Sequence, residues 1–173
     1  MSRGAGRLCV GLALALLVAS VVARPAQAQE VVFSPQATQA CLAATPTDSA
    51  CISQSAEQCM QATPAGQTTY GMTECLWAEY KFWDARLNVA YQQLLRQQET
   101  AESDAKTYGY SELPRVAPLR DMQRAWIAFR DAKCDFERAQ WGSGTGGGPA
   151  MAGCLLQTTA EQALYLAMMA QDY

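Results

Sequence analysis

The cysteines are the residues whose type and number limit the chemistry of this chain most clearly. The chain of 173 residues contains seven cysteines and no histidine. Six cysteines follow the N-terminal hydrophobic segment: Cys41, Cys51, Cys59, Cys75, Cys134 and Cys154. An even number in a short exported chain is typical of disulfides formed in an oxidising compartment. Since no C-x-x-C motif is present, we expect three structural disulfides and no redox chemistry.

The missing histidine removes the most common general base, metal ligand and partner of a nucleophilic serine or cysteine. A G-x-S-x-G motif is also missing, because Ser143 follows Trp141 and Gly142. With the cysteines assigned to disulfides, we expect no catalytic residues, no metal site and no cofactor. The sequence therefore predicts a binding protein and not an enzyme.

The position of the last two cysteines predicts one disulfide. Cys134 lies near the end of a predicted helix and Cys154 near the start of the next, so a helical hairpin would bring them level. We therefore favour the pair Cys134–Cys154.

The other four cysteines leave the pairing open. Cys59 and Cys75 flank a predicted turn and are expected to pair, which leaves Cys41 with Cys51. The alternative pair Cys51–Cys75 remains open, because sequence alone does not choose between connectivities.

Two helix faces carry polar residues that complement each other. Asp84, Asn88 and Tyr91 share one face at spacings i, i+4 and i+7, and Gln123 and Arg130 share a face of a later helix. Because the planar guanidinium group of arginine matches a carboxylate, we expect Asp84 and Arg130 to lie close together. We expect the side-chain amides of Asn88 and Gln123 to form hydrogen bonds with this pair. We favour a structural network over a binding site, since polar groups buried in bundles must be paired.

Hydrophobic periodicity predicts three long helices that position these residues. The first spans about residues 69–99, with an apolar face of Leu76, Tyr80, Trp83, Leu87, Tyr91 and Leu94. The second spans about 118–140, with a buried face of Leu119, Met122, Trp126, Phe129 and Phe136. The third spans about 150–171, with an inner side of Met151, Leu155, Gln162, Tyr165, Leu166 and Met169.

The remaining segments complete an all-α fold. Residues 100–117 and the glycine-rich segment 142–149 are predicted to interrupt the helices. Shorter helices are expected near residues 35–43 and 51–62, and no strand alternation is present. The fold class is therefore all-α, a small disulfide-stapled bundle of three long helices with short N-terminal helical pieces.

The N-terminus has the pattern of a secretory signal peptide. Arg3 and Arg7 precede 15 apolar residues, and Ala26-Gln27-Ala28 forms a small-x-small cleavage site. We predict a signal peptide at 1–28, a cysteine-rich helical segment at 29–68 and a helical domain at 69–173. Because a membrane span needs roughly 20 apolar residues, no stable anchor is expected after cleavage. The predicted location is periplasmic or secreted.

The mature chain is acidic. Removal of Arg3, Arg7 and Arg24 leaves 10 basic and 16 acidic side chains, a net charge of −6. This charge argues against nucleic-acid binding, which needs clustered lysine and arginine. It suits a basic protein partner, or it serves only to keep the protein soluble.

Three ordered blocks of sequence resemble a known family. The runs WDARLNVAYQQL, LRDMQRAWIAFRDAKC and GGGPAMAGCLLQTTAEQ resemble the lysozyme inhibitor LprI-like N-terminal domain family over about residues 70–170. The matching positions are Asp84, Leu87, Asn88, Tyr91, Gln123, Trp126, Phe129, Arg130, Cys134, Cys154 and Thr159. Gln162 stands where family members often carry an arginine, so a contact made by that arginine is in doubt. The founding-type inhibitor is lipid-anchored, whereas this chain lacks a lipid-attachment cysteine.

The resemblance implies a helical lysozyme inhibitor whose partner is lysozyme or another basic peptidoglycan hydrolase. The loop from Gly142 to Pro149 is the candidate inhibitory segment, with Ser143 and Thr145 as hydrogen-bonding residues and Trp141 as an aromatic anchor. The alternatives are that this loop only connects two helices and has no function of its own, and that Trp141 packs at the edge of the hydrophobic core.

A second hypothesis is a cell-envelope structural or adaptor domain with another protein partner. It would be favoured if Trp77 and Phe82 were exposed together on one side of the molecule.

Overall fold

The structure, a computed structural model, describes residues 30–111 and 113–171, and these residues form five α-helices and no strand. The helices are α1 (Gln36–Ala44), α2 (Gln54–Ala62), α3 (Thr69–Tyr108), α4 (Val116–Ala139) and α5 (Gly147–Gln171). A short 3₁₀ turn, Ser49–Cys51, joins α1 to α2. The all-α bundle of three long helices with short N-terminal helices is confirmed. The predicted signal peptide lies outside the described residues.

The core lies between α3 and α5, which run parallel to each other. Thr73 lies beside Gly148 near the start of both helices, and Gln97, further along α3, donates a hydrogen bond to the Ala170 carbonyl near the end of α5 (2.9 Å). The main buried residues are Trp83, Leu87, Ala90 and Leu94 of α3 and Leu156, Ala160, Ala163 and Leu166 of α5. α4 returns antiparallel and packs mainly on α5, so it touches α3 at few places.

α3 is longer than predicted. It begins after the cap residue Thr68, whose hydroxyl accepts a hydrogen bond from the Gly71 amide (3.0 Å), and it ends at Gly109, which has a φ of +75°. The predicted break at residue 100 is wrong, because residues 100–108 contain no glycine or proline and Ala105 is buried. A glycine in the left-handed conformation is the ordinary end of a helix.

α5 begins inside the segment that was predicted to be irregular. Gly147, Gly148 and Pro149 form its first turn, where proline is tolerated because its missing amide would have no helical partner. A Cβ added at Gly148 would lie 2.9 Å from Thr73 Oγ1. Glycine therefore lets α5 approach α3 closely at this position.

Three disulfides fasten the bundle. They join Cys41 to Cys51, Cys59 to Cys75 and Cys134 to Cys154, with Cα–Cα distances of 5.4, 5.6 and 5.4 Å. The structure thus contains the favoured hairpin pair, and the alternative pair Cys51–Cys75 does not form. The last disulfide holds α4 against α5 two turns from the connecting loop.

The buried carboxylate of Glu79 ties the N-terminal helices to α3. It accepts hydrogen bonds from Thr38 Oγ1 (2.8 Å), the Ser53 amide (3.0 Å), the Ala56 amide (2.6 Å) and Trp83 Nε1 (3.0 Å). The two amides belong to the N-terminus of α2, where a negative charge also suits the helix dipole. No motif or spacing in the sequence indicated this role for Glu79.

The predicted buried face of α4 is wrong at two positions. Phe129 and Phe136 are 60% and 65% exposed, whereas Leu119 is buried and Met122 and Trp126 are partly buried. The reason is the orientation of Cys134, whose disulfide fixes the side of α4 that faces α5. At about 100° per residue, both phenylalanines point well away from that side.

The inner side of α5 also differs from prediction at one residue, since Tyr165 is 42% exposed. The tyrosine lies at the edge of the helix surface, where its ring lines a groove with Leu119 and Met122. Within the described residues, no helix combines the length and the low polarity that crossing a membrane would require.

Candidate functional site

The loop between α4 and α5 is a series of hydrogen-bonded turns. The amides of Trp141, Gly142 and Gly144 donate to carbonyls three residues earlier, at 3.1, 3.1 and 2.8 Å. Gly142 has a φ of +51°, a conformation that favours glycine. Because its backbone is tied in this way and its base is held by Cys134–Cys154, the loop differs from a free linker.

Trp141 packs across the loop. Its ring covers Gly146, where an added Cβ would lie 2.2 Å from two ring carbons, so a side chain at 146 would displace the indole. The indole nevertheless remains 54% exposed. Trp141 is therefore only partly packed, and its outer surface is exposed.

The two hydroxyl residues of the loop face solvent. Ser143 and Thr145 are exposed, and neither side chain makes a hydrogen bond with the described residues. They border a concavity of about 690 Å³, which Asp135 and Arg138 of α4 also line. The site thus presents two unpaired hydroxyls, the carboxylate of Asp135 and the guanidinium group of Arg138, all of which can form hydrogen bonds to a partner.

The predicted contact between Asp84 and Arg130 does not form. Asp84 Oδ2 accepts from Asn88 Nδ2 (3.2 Å), and Arg130 pairs with its neighbour Asp131 (2.7 Å). Arg130 also lies over the Trp126 ring at 5.0 Å from its centroid. Arg130 thus finds its acid and an aromatic face on its own helix.

Tyr80 lies in the field of these charged residues. Burial raises the pKa of the Tyr80 hydroxyl, the Arg130 charge lowers it, and the carboxylates of Asp84 and Asp131 raise it further. The net direction is upward, so the hydroxyl keeps its proton at neutral pH. Tyr91, the other tyrosine of the predicted network, is partly buried against the main core.

Gln123 is buried and forms its hydrogen bond with α5. Its Oε1 accepts a hydrogen bond from Gln162 Nε2 at 3.1 Å. Gln162 is the residue that stands in place of an arginine in the pattern described above. An amide at this position satisfies the buried Gln123 oxygen without introducing a charge, and it therefore links α5 to α4.

The two aromatic residues that could have favoured an adaptor are partly buried. Trp77 packs beside the Cys134–Cys154 disulfide, and Phe82 packs against the main core. They do not form a jointly exposed aromatic surface. Phe82 does border a groove of about 430 Å³ between α3 and α5, together with Arg86 and Val89.

Comparison with known proteins gives one match. A family model described as lysozyme inhibitor LprI matches residues 59–166, which is more than half of the chain and includes α3, α4 and most of α5. Searches of curated proteins and of solved structures find no match. On the extent of the family match, the chain belongs to the LprI lysozyme inhibitor family.

Proposed function

We propose that this chain is an exported, non-enzymatic lysozyme inhibitor whose α4–α5 loop enters the substrate cleft of a basic peptidoglycan hydrolase. The observation that carries the proposal is membership of the LprI family, whose matched region contains this loop. Three disulfides support an oxidising location outside the cytoplasm. The mature net charge of −6 supports attraction to a basic partner.

The chemistry of the loop fits the chemistry of such a cleft. Lysozyme cleaves its glycan between two carboxyl groups. Ser143 and Thr145 have free hydroxyls that would donate hydrogen bonds to those carboxyl groups. Because the loop is already tied by backbone hydrogen bonds and a disulfide, little conformational entropy would be lost on binding. Occupation of the cleft blocks substrate without any reaction.

The test is a titration of the oxidised protein into a basic chicken-type lysozyme that is lysing a peptidoglycan suspension. Hydrogen bonds to charged groups contribute about 1.5–3 kcal/mol each, so Ser143→Ala with Thr145→Ala should weaken inhibition roughly 100-fold. The control is Ser103→Ala with Thr107→Ala, which removes two exposed hydroxyls from the distant end of α3. The control should inhibit like the wild type.

Two results would change the proposal. Full inhibition by the loop variant would keep the function and move the site away from Ser143 and Thr145. A lack of protection at large molar excess, repeated with other lysozyme classes, would overturn the inhibitor function. A cell-envelope adaptor would then be favoured, with the groove beside Phe82 and Val89 as its candidate contact surface.

A further inference from the structure

The outward face of α4 is apolar along most of its length. Its residues recur at spacings of 4, 3, 4 and 3, and they are Ala125, Phe129, Ala132, Phe136 and Ala139. All five are exposed. We call this set the outer stripe. At 1.5 Å per residue it is about 21 Å long, roughly the width of a small protein interface.

The outer stripe is unusual for the solvent side of a helix. A surface helix normally has one apolar face toward the core and a polar face toward water. α4 has its core face at Leu119, Gln123 and Cys134, and its second apolar face points the opposite way. Continuous exposed apolar surface of this kind marks a site of contact with another molecule.

Charged residues along one edge of the outer stripe indicate the charge of the partner that contacts it. Asp121, Asp131 and Asp135 follow this edge together with Arg124 and Arg138, and Asp121 and Asp131 form ion pairs with Arg124 and Arg130. Asp135 forms no ion pair among the described residues and lies one position before Phe136. An apolar partner surface that places a lysine or arginine beside Asp135 would therefore be complementary.

A second copy of the chain fits the outer stripe less well. Antiparallel two-fold docking would bring the edge with Asp131 and Asp135 against the same edge of the other copy, which places like charges together. Parallel docking would set each phenylalanine against its equivalent and each alanine against an alanine. Gaps would remain between the alanines, because close packing needs large residues opposite small ones.

The outer stripe is continuous with the loop site. Asp135 and Ala139 border the same concavity as Ser143 and Thr145. A specific complex buries about 800 Å² on each partner, which a loop of eight residues does not supply alone. We infer that the outer stripe and the loop form one docking surface, which binds a basic hydrolase with Phe129 and Phe136 as its apolar anchors. This inference rests on the proposed inhibitor function.

The test measures both binding and inhibition of chicken-type lysozyme by the oxidised protein. Phe129→Gln with Phe136→Gln removes the anchors from exposed helical positions, so the thermal midpoint should stay near that of the wild type. Aromatic anchors at interfaces justify an expected rise in Kd of about 30-fold or more. Val89→Gln, a change at a 68% exposed apolar position on α3, is the matched control and should leave Kd unchanged.

Two further measurements complete the test. Asp135→Lys should slow association and reduce its dependence on salt, because the partner is basic. In the wild-type complex, backbone amides of α4 between Ala125 and Ala139 should exchange hydrogen more slowly than in the free protein. This second readout does not depend on how the variants fold.

The outcomes separate the inference from the function on which it rests. Inhibition and binding that are unchanged in the phenylalanine variant, without α4 protection, would overturn the docking surface and leave the inhibitor function intact. Binding through the outer stripe without inhibition would support the surface and overturn the inhibitor. Absence of binding to chicken-type lysozyme, repeated with the other lysozyme classes, would overturn both. A wild-type dimer that the phenylalanine variant converts to monomer would assign the outer stripe to self-association and overturn the inference.

Discussion

At the scale of single residues, Glu79 is the side chain on which the N-terminal part of the fold depends most. Its carboxylate is fully buried and receives four hydrogen bonds from three separate segments. A charge inside a protein is stable only when such donors replace the lost water. Glu79 therefore acts as a polar link between α3 and the short helices.

We expect Glu79→Gln to lower the free energy of unfolding by about 3 kcal/mol. The new amide nitrogen would face groups that are themselves donors, and the charge that strengthens the other hydrogen bonds would be lost. Urea denaturation of the oxidised protein measures this change. Glu161→Gln, on the exposed face of α5, is the control. A midpoint for Glu79→Gln that matches the control would contradict the role of the carboxylate.

The residue contacts could be predicted from the sequence only in part. The sequence shows that Asp84 and Arg130 have complementary charges, but residues that share a helical face do not reveal which of several acids pairs with an arginine. Arg130 forms its ion pair with Asp131, its neighbour in the chain. The link from Thr38 to Glu79 spans 41 residues, and no sequence pattern connects a buried acid to donors so distant.

At the scale of the helices, the start of α4 is fixed by a side chain from α3. Glu102 Oε1 accepts hydrogen bonds from the amides of Arg115 and Val116, at 2.6 and 2.8 Å. These two hydrogen bonds, with Val116 the larger cause, lower the pKa of Glu102 below its usual 4.5. The first amides of a helix have no partner within the helix, so this carboxylate caps α4 from outside.

The lowered pKa predicts how the stability of this junction changes with pH. The folded protein binds the Glu102 proton less tightly than the unfolded chain, so the ionised group stabilises the fold above about pH 4.5. That stabilisation is lost as the pH falls through the folded-state pKa. The unfolding free energies of wild type and Glu102→Gln should therefore differ most near pH 7 and converge once the pH has fallen below the folded-state pKa of Glu102. A constant difference from pH 7 to pH 3 would contradict the cap.

The helices themselves were largely predictable, because their periodicity is strong. The six residues assigned to the apolar face of α3 are all buried or partly buried. α4 was harder, since it carries two apolar stripes and periodicity does not say which one faces inward. The Cys134–Cys154 disulfide makes that choice in the structure. The start of α5 was predicted too late, because a run of glycines normally indicates an irregular segment. Here the glycines belong to the first helical turn, where they allow α5 to pack closely on α3.

At the scale of the whole molecule, the inner and outer faces of α4 differ in role. The inner face of α4 and the disulfide keep the bundle together, while the outer stripe and the side chains of Ser143 and Thr145 face solvent. Such a division lets the docking surface change without loss of the core, because exposed positions contribute little to stability.

The three disulfides all lie toward one end of the bundle. Cys59–Cys75 and Cys134–Cys154 bracket the first turns of α3 and α5, and Cys41–Cys51 lies in the segment held by Glu79. The opposite end, from Gln97 to Pro118, has no covalent link among the described residues. Proteins open locally where constraints are fewest. Proteases should therefore cut the native protein first near the α3–α4 junction. Because each disulfide then lies within one of the two fragments, helical packing alone would hold the fragments together.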